Sequence, residues 1–318
     1  MKIGIIDSNR NCYVTDPDIE RRIIGETASV TLYQAASADA LPDDVRDCDG
    51  LISWHLVPLD AAFIGSLRRC RGIVRAAVGF DNIDLEAARR HGIAVANVPD
   101  YGTDEVADHA LAMALSLLRR LVRGHEVVAR GSWDWREVGS LPRLRELHVG
   151  IVGCGRIGMA VALRFKAFGC RVSIFDPYLR SGTEKSIGVE RLETLDQLLC
   201  AVDLISIHTP LTDETRHLIG AREMRMLEGK YLVNTARGPI VDGDALCSAL
   251  ANDALKGVAL DVYEDETKPI PQIMQGRHDV LLSPHVAFYS EAALPELRAK
   301  AAQIASELAT HGWHRNVL

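Results

Sequence analysis

Short apolar runs alternate with longer amphipathic segments along almost the whole chain. Residues 3–6, 50–53, 73–77, 149–152, 171–175, 204–208, 231–234 and 257–260 read as buried strands, because their apolar residues are consecutive rather than alternating. Between them, 85–91, 157–168, 195–200 and 243–251 carry apolar residues at helical spacing. Strands alternating with helices predict parallel sheets built from βαβ units, an α/β fold. No repeat or low-complexity stretch interrupts the pattern.

The longest predicted helix covers 103–130. Thr103 or Asp104 can cap it, acids Asp104, Glu105 and Asp108 fall in its first turns, and Arg119, Arg120, Arg123 and Arg130 lie toward its end, the charge order a helix dipole favours. Gly131 stops it. The following stretch, GSWDWREVGSLPRLRE, is polar and reads as an excursion rather than a strand. Its Trp133 and Trp135 require burial, either on their own chain or against a partner subunit.

Length and composition narrow the class. With 318 residues the chain exceeds one ordinary core, so two domains are expected. Apolar residues at 47% and charged residues at 25% are ordinary for a water-soluble protein. A formal net charge of −7 argues against nucleic acid as a partner. No apolar run approaches the roughly 20 residues that span a bilayer, and the first residues lack a signal-peptide layout. Seven cysteines without a CxxC pair read as reduced thiols, so a cytoplasmic location is expected. No histidine and carboxylate spacing matches a metal ligand set. His208 and His217 read as structural residues.

One motif carries a cofactor signal. The run 149–152 feeds Gly153-Cys154-Gly155-Arg156-Ile157-Gly158 and a helix follows at once, which is GxGxxG in the strand–turn–helix context that gives it meaning. Gly153 permits the tight turn, Gly155 leaves room for a pyrophosphate, and Gly158 lets the helix lie close to the strand. The helix N-terminus offers free N–H groups to the anion. Asp176 ends the next strand, close to the expected interval of about 20 residues, where a carboxylate can accept both hydrogens of a ribose diol. It would repel a 2′-phosphate, so NAD(H) is expected over NADP(H), although Arg180 lies nearby. Thr209-Pro210 is a further turn at a strand's C-terminal edge, where such sheets bind ligands.

Three more strand ends carry polar residues that a core has no use for. The run 231–234 leads into Thr235-Ala236-Arg237, and the Arg237 guanidinium can bind a carboxylate and polarise a neighbouring carbonyl. Asp261 ends 257–260, followed by Glu264, Asp265 and Glu266. In VLLSPHVAFYSE, His285 stands at the exit of the apolar run 280–282. A cation for a substrate carboxylate, an acid-base histidine and a carboxylate to orient it form a complete set for reducing a 2-keto acid, with the cofactor supplying the hydride.

These motifs, in this order, resemble the D-specific 2-hydroxyacid dehydrogenases: GCGRIG with Asp176, then NTARGPIVD, LDVYEDE and SPHVAFYSE. The resemblance covers nearly the whole chain and implies that Arg237, Glu266 and His285 are catalytic. The stretches RAAVGFDNID, IAVANVPDYGTDEVADHA, FDPYL and HVAFYSE look most like the C-terminal binding protein (CtBP)-like branch, which includes NADH-binding co-repressors. Phe288 stands where that branch has tryptophan, and the small residues at 77–79 also differ, which leaves the identity of the substrate open.

From the likeness come the remaining expectations. Two doubly wound parallel-sheet domains, Rossmann- and flavodoxin-like, are implied: a substrate domain of 1–98 plus 290–318, and an inserted NAD-binding domain of 99–289. A homodimer through 103–146 is implied as well. His55, Arg75, Val78, Gly79, Arg237 and Phe288 would bind substrate. Thr103, the glycine loop with Arg156 and Ile157, Asp176, Thr209, Pro210, Thr235, Ala236, Asp261 and His285 would bind NAD(H), Asp261 holding the ring carboxamide. Arg75 would either meet a second anionic group or shape the cleft. Phe288, Trp54 and Tyr101 could instead line an apolar pocket. The expected activity is NAD-dependent interconversion of a 2-keto acid and a D-2-hydroxy acid; the alternative is an NADH-sensing binding scaffold without turnover, although the chain ends soon after Trp313 without the long tail of animal co-repressors.

Overall fold

The consecutive apolar residues of the first hundred positions become the strands of one sheet. In the computed structural model, which describes residues 1–318, two compact units form: Met1–Gly102 with Ser290–Leu318, and Thr103–Tyr289.

The first unit runs β1 (Lys2–Ser8), α1 (Asp18–Ile24), β2 (Ser29–Ala35), β3 (Gly50–Ser53), α2 (Ala61–Ser66), β4 (Gly72–Arg75), α3 (Leu85–Arg90) and β5 (Ala94–Asn97). All pairings are parallel and the order is β2-β1-β3-β4-β5, the flavodoxin-like arrangement. Residues 3–8 of β1 are all buried, as both-face coverage by helices demands. Asp60 and Asp84 cap α2 and α3 by accepting the main-chain N–H groups of Phe63 and Ala87. Two strands of this unit, β2 and β5, lie outside the expected set; β2 is SVTLYQA, broken by polar residues, and much of it is only partly buried.

In the second unit come α4 (Thr103–Leu118), α5 (Leu121–Ala129), β6 (His148–Val152), α6 (Arg156–Ala167), β7 (Arg171–Phe175), α7 (Thr183–Ile187), β8 (Glu190–Arg191), α8 (Leu195–Ala201), β9 (Leu204–Ile207), α9 (Ala221–Met226), β10 (Tyr231–Asn234), α10 (Gly243–Ala251), β11 (Gly257–Leu260) and β12 (Val280–Leu282). Its seven parallel strands are ordered β12-β11-β10-β9-β6-β7-β8, the doubly wound order, with the reversal between β6 and β9. The single helix expected over 103–130 is two. Arg120 takes the left-handed conformation, φ 49°, and separates α4 from α5. Its guanidinium donates to the carbonyl of Val138 at 3.1 Å, so a contact remote in sequence accompanies a break that no glycine or proline announces.

The chain then returns to the first unit as α11 (Ala293–His311), whose apolar face buries Leu297, Ala301, Ile304 and Leu308. Arg298 on it meets Glu20 of α1 at 2.6 Å, with the Glu20 carboxylate buried. All seven cysteines are free thiols. No helix is long and apolar enough to cross a membrane.

Candidate active site

One line of register positions most of the functional side chains. Phe175, Val152, Ile207, Asn234, Leu260 and Leu282 lie side by side on adjacent strands of the second sheet. All the strands are parallel, so the residues following each emerge at one edge. Those residues are Asp176, Gly153, His208 with Thr209, Thr235 to Arg237, Asp261, and Ser283 to His285.

The glycine loop joins β6 to α6. Gly153 has φ +86°, and a Cβ there would lie 2.8 Å from the Thr209 nitrogen, so the turn and the β9 exit are in close contact. At Gly158 a Cβ would lie 2.0 Å from the Gly153 carbonyl oxygen, which lets α6 start tight against its strand. A Cβ at Gly155 would meet nothing within 4 Å: the space in front of the α6 N-terminus is open. Arg156 and Ile157 begin that helix. The Asp176 carboxylate accepts the N–H of Cys154 at 2.9 Å and that of Tyr178 at 2.9 Å. Each oxygen keeps further acceptor capacity. The loop, the helix N-terminus and the carboxylate fit a dinucleotide with a free ribose diol.

Burial decides two titrations here. The Cys154 thiol is pushed up to about 11 by burial and by the charge of Asp176, so it stays protonated. His208 is pushed down to about 3 by burial; its Nε2 lies 2.7 Å from the Ser206 hydroxyl and its Nδ1 has no partner. His217 lies elsewhere, bonded to Glu264 at 2.5 Å.

At the β10 exit the buried Asn234 side chain ties the next turn together. Its amide donates to the Arg237 carbonyl at 2.9 Å and its oxygen accepts the Ala236 N–H at 3.0 Å. Thr235 is buried with its hydroxyl unpartnered, and the half-buried Arg237 donates to the Ala236 carbonyl at 2.8 Å. Asn234 was legible only as the end of a strand.

Asp261, only 2% exposed, is engaged by its own chain. Oδ1 accepts the Ser283 hydroxyl at 2.6 Å and the Val286 N–H at 2.9 Å, and Oδ2 accepts the Ala287 N–H at 2.9 Å. Within that segment His285 has φ +52°. Its Nδ1 lies 2.8 Å from Glu266 Oε2, and its ring meets Phe288 edge-on, centroids 6.3 Å apart. A further residue joins from α4: His109 Nε2 is 3.0 Å from the Ser283 hydroxyl. Nothing in the local pattern marks His109, one polar position in a helix. Thr103 is the first residue of α4 and Pro210 follows Thr209 on the exposed side of its turn.

The remaining expected residues belong to the first unit. Arg75 ends β4 and is buried; Nε donates to Asn82 Oδ1 at 2.7 Å and Nη1 to the Ala76 carbonyl at 2.9 Å. These bonds brace the loop that carries Val78 and Gly79. Asn97 Nδ2 holds the Val78 carbonyl at 2.7 Å. Tyr13 stacks on Trp54 at 4.7 Å, and its ring is 5.3 Å from that of His55. Trp54 and Tyr101 are 2% and 7% exposed, which leaves them little surface to offer a ligand.

Comparison with known proteins adds an independent line. Residues 111–287 match the family model described as D-isomer specific 2-hydroxyacid dehydrogenase, NAD binding domain. The chain is 38% identical over 275 residues to a glyoxylate reductase of Korarchaeum cryptofilum, covering 85% of this chain and 81% of that protein. It is 34% identical over 304 residues to a glyoxylate reductase of Thermofilum pendens, covering 92% and 88%. The crystal structure of a D-lactate dehydrogenase from Aquifex aeolicus, complexed with NAD and lactic acid, superposes with a TM-score of 0.86 at 28% identity over 97% of this chain and 95% of that one.

Proposed function

The chain belongs to the D-isomer-specific 2-hydroxyacid dehydrogenase family, and from that premise we propose that it reduces a short-chain 2-keto acid, glyoxylate foremost, to the hydroxy acid with His285 as general acid. It is an NAD-dependent oxidoreductase. The observation that carries the reading of the mechanism is the 2.8 Å contact of His285 Nδ1 with Glu266 at the sheet edge that bears the glycine loop.

Bound NADH supplies the hydride. The protein's own part is anion binding and one proton. Glu266 accepts the Nδ1 hydrogen of His285, which fixes the ring, so the proton that passes to the carbonyl oxygen leaves from Nε2. In the oxidative direction Nε2 takes that proton back. Arg237 binds the substrate carboxylate and draws electron density from the adjacent carbonyl. In the first unit, Val78, Gly79 and His55 are the candidates for substrate contact. The bonds of Arg75 to Asn82 and Ala76 support a role in shaping that loop rather than in meeting a second anion. The glyoxylate reductases among the relatives support a short side chain.

Asp176 favours NADH over NADPH. Asp261, engaged by Ser283, Val286 and Ala287, acts chiefly by holding the His285 segment, whatever it adds toward the carboxamide. Trp133 and Trp135, 89% and 81% exposed on this chain, support a homodimer in which a partner would cover them.

The test is NADH oxidation across a panel of 2-keto acids: glyoxylate, hydroxypyruvate, pyruvate, phenylpyruvate and 2-oxoglutarate. Fast turnover of the smallest members supports the proposal. Preference for phenylpyruvate overturns the short-chain reading. Silence across the panel with NADH still bound favours the binding scaffold that the CtBP-like motifs raise.

A further inference from the structure

His285 holds a left-handed main-chain conformation, φ +52°, that a bulky L residue adopts only when its surroundings impose it. The restraints converge on Asp261. The His285 N–H donates to the Asp261 carbonyl at 2.8 Å, while the Val286 and Ala287 N–H groups both donate to its carboxylate at 2.9 Å. The fourth donor to this residue is the Ser283 hydroxyl, at 2.6 Å.

Counting hydrogens extends the network by one residue. Ser283 Oγ has a single hydrogen. The Asp261 carboxylate can only accept, and at 2.6 Å it is the closest partner, so the hydrogen lies on that bond. The Met113 thioether, 3.7 Å away, is a weak acceptor and does not compete. In its 3.0 Å contact with His109 Nε2, Ser283 Oγ must therefore accept. His109 Nε2 carries a hydrogen, directed at the hydroxyl, with Asp261 Oδ1 3.6 Å away. A hydrogen-bonded chain thus runs from α4 through Ser283 to Asp261, where it meets the N–H groups of residues 285–287, which donate to the same residue.

We infer that His109 is a positioning residue: through Ser283 and Asp261 it holds the left-handed turn that aims the His285 ring. The inference rests on the proposed role of His285. It separates two functions that a half-buried histidine and serine could have, since a merely structural pair would affect folding and every binding step alike, whereas a positioning pair affects the chemical step.

The test uses the full-length protein with glyoxylate and NADH, and the variants His109→Leu, His109→Gln and Ser283→Ala. His109→Leu and Ser283→Ala should each lower kcat roughly tenfold to a hundredfold, the range a small misplacement of a reacting group produces. KM for NADH should stay within about twofold, and the primary isotope effect with 4-deuterated NADH should rise as hydride transfer becomes limiting. His109→Gln, whose amide can still donate, should recover most of kcat. A second readout needs no turnover: long-range nitrogen–proton spectra of the histidine rings, with His285 assigned by its absence from His285→Ala. The His285 signals should move in His109→Leu and stay near wild type in His109→Gln. Wild-type kcat in either His109→Leu or Ser283→Ala overturns the inference. So does a loss shared by KM for NADH and thermal stability with the isotope effect unchanged, or an unmoved His285 ring. Ordinary turnover in His285→Ala would instead sink the acid-base assignment, a different failure.

Discussion

His285 Nδ1 and Glu266 Oε2 lie 2.8 Å apart, joining the exits of β12 and β11, which neighbour each other in the sheet. The contact engages Nδ1, and the proposed proton transfer is assigned to Nε2. Replacing His285 by Ala should lower kcat by about two to four orders of magnitude, the usual span of general acid catalysis, with the dissociation constant for NADH unchanged. Glu266→Gln keeps the shape of the side chain and removes its charge, so its loss should be smaller. Steady-state rates with fluorescence titration of NADH check both, and an active His285→Ala enzyme rules the assignment out.

Asp176 has two sets of donors in play. Its carboxylate already binds the Cys154 and Tyr178 N–H groups. If it also accepts a ribose diol and repels a 2′-phosphate, Asp176→Ala should raise KM for NADH by roughly tenfold and leave KM for NADPH level or lower, the size of one charge-assisted pair of hydrogen bonds. Equal losses for both cofactors would mean that the residue serves only the loop.

Trp133 and Trp135 stand exposed next to α5, whose Leu121, Val122 and Val128 are exposed as well. Changing both tryptophans to Ser should convert a dimer to a monomer at micromolar concentration, measured by light scattering on a sizing column. A wild-type protein that is already monomeric would leave these rings without the proposed role.

His208 predicts a pH dependence of stability. Its folded value, about 3, lies below the ordinary 6.5, so the unfolded chain binds the extra proton. Stability from this group is present above about pH 6.5 and is lost as pH falls toward 3. Between pH 6.5 and 5 the loss should be about 1.5 kcal/mol from this residue. His148, lowered by burial and by the charge of Arg171, acts in the same direction. Urea unfolding at the two pH values should show His208→Gln with a shallower decline than wild type; an identical decline would contradict the burial argument.

Much of this protein is legible in the chain itself, because the signals are local. Consecutive apolar residues define most strands of both sheets, since a parallel strand covered on two faces has no polar side. The glycines at 153, 155 and 158 are required within a few residues of one another by a single turn, and Asp176 follows after one βαβ step. Arg237, Glu266 and His285 are conspicuous as polar groups directly after buried strands.

Tertiary structure decided what depends on partners distant in sequence. That Arg75 braces its loop follows from Asn82 and Ala76, and from burial that no pattern around Arg75 encodes. The break at Arg120 accompanies a bond to Val138, with no glycine or proline among residues 118–121 to announce it. Asp261 reads equally well from sequence as a ligand for the cofactor. Only its bonds to Ser283, Val286 and Ala287 reveal it as the anchor of the His285 turn, and only packing of α4 on the sheet brings His109 to Ser283. Periodicity determines which elements form, because it is set by neighbours along the chain. Orientation of a catalytic side chain is set by hydrogen bonds across strands, and those exist only once the sheet has assembled.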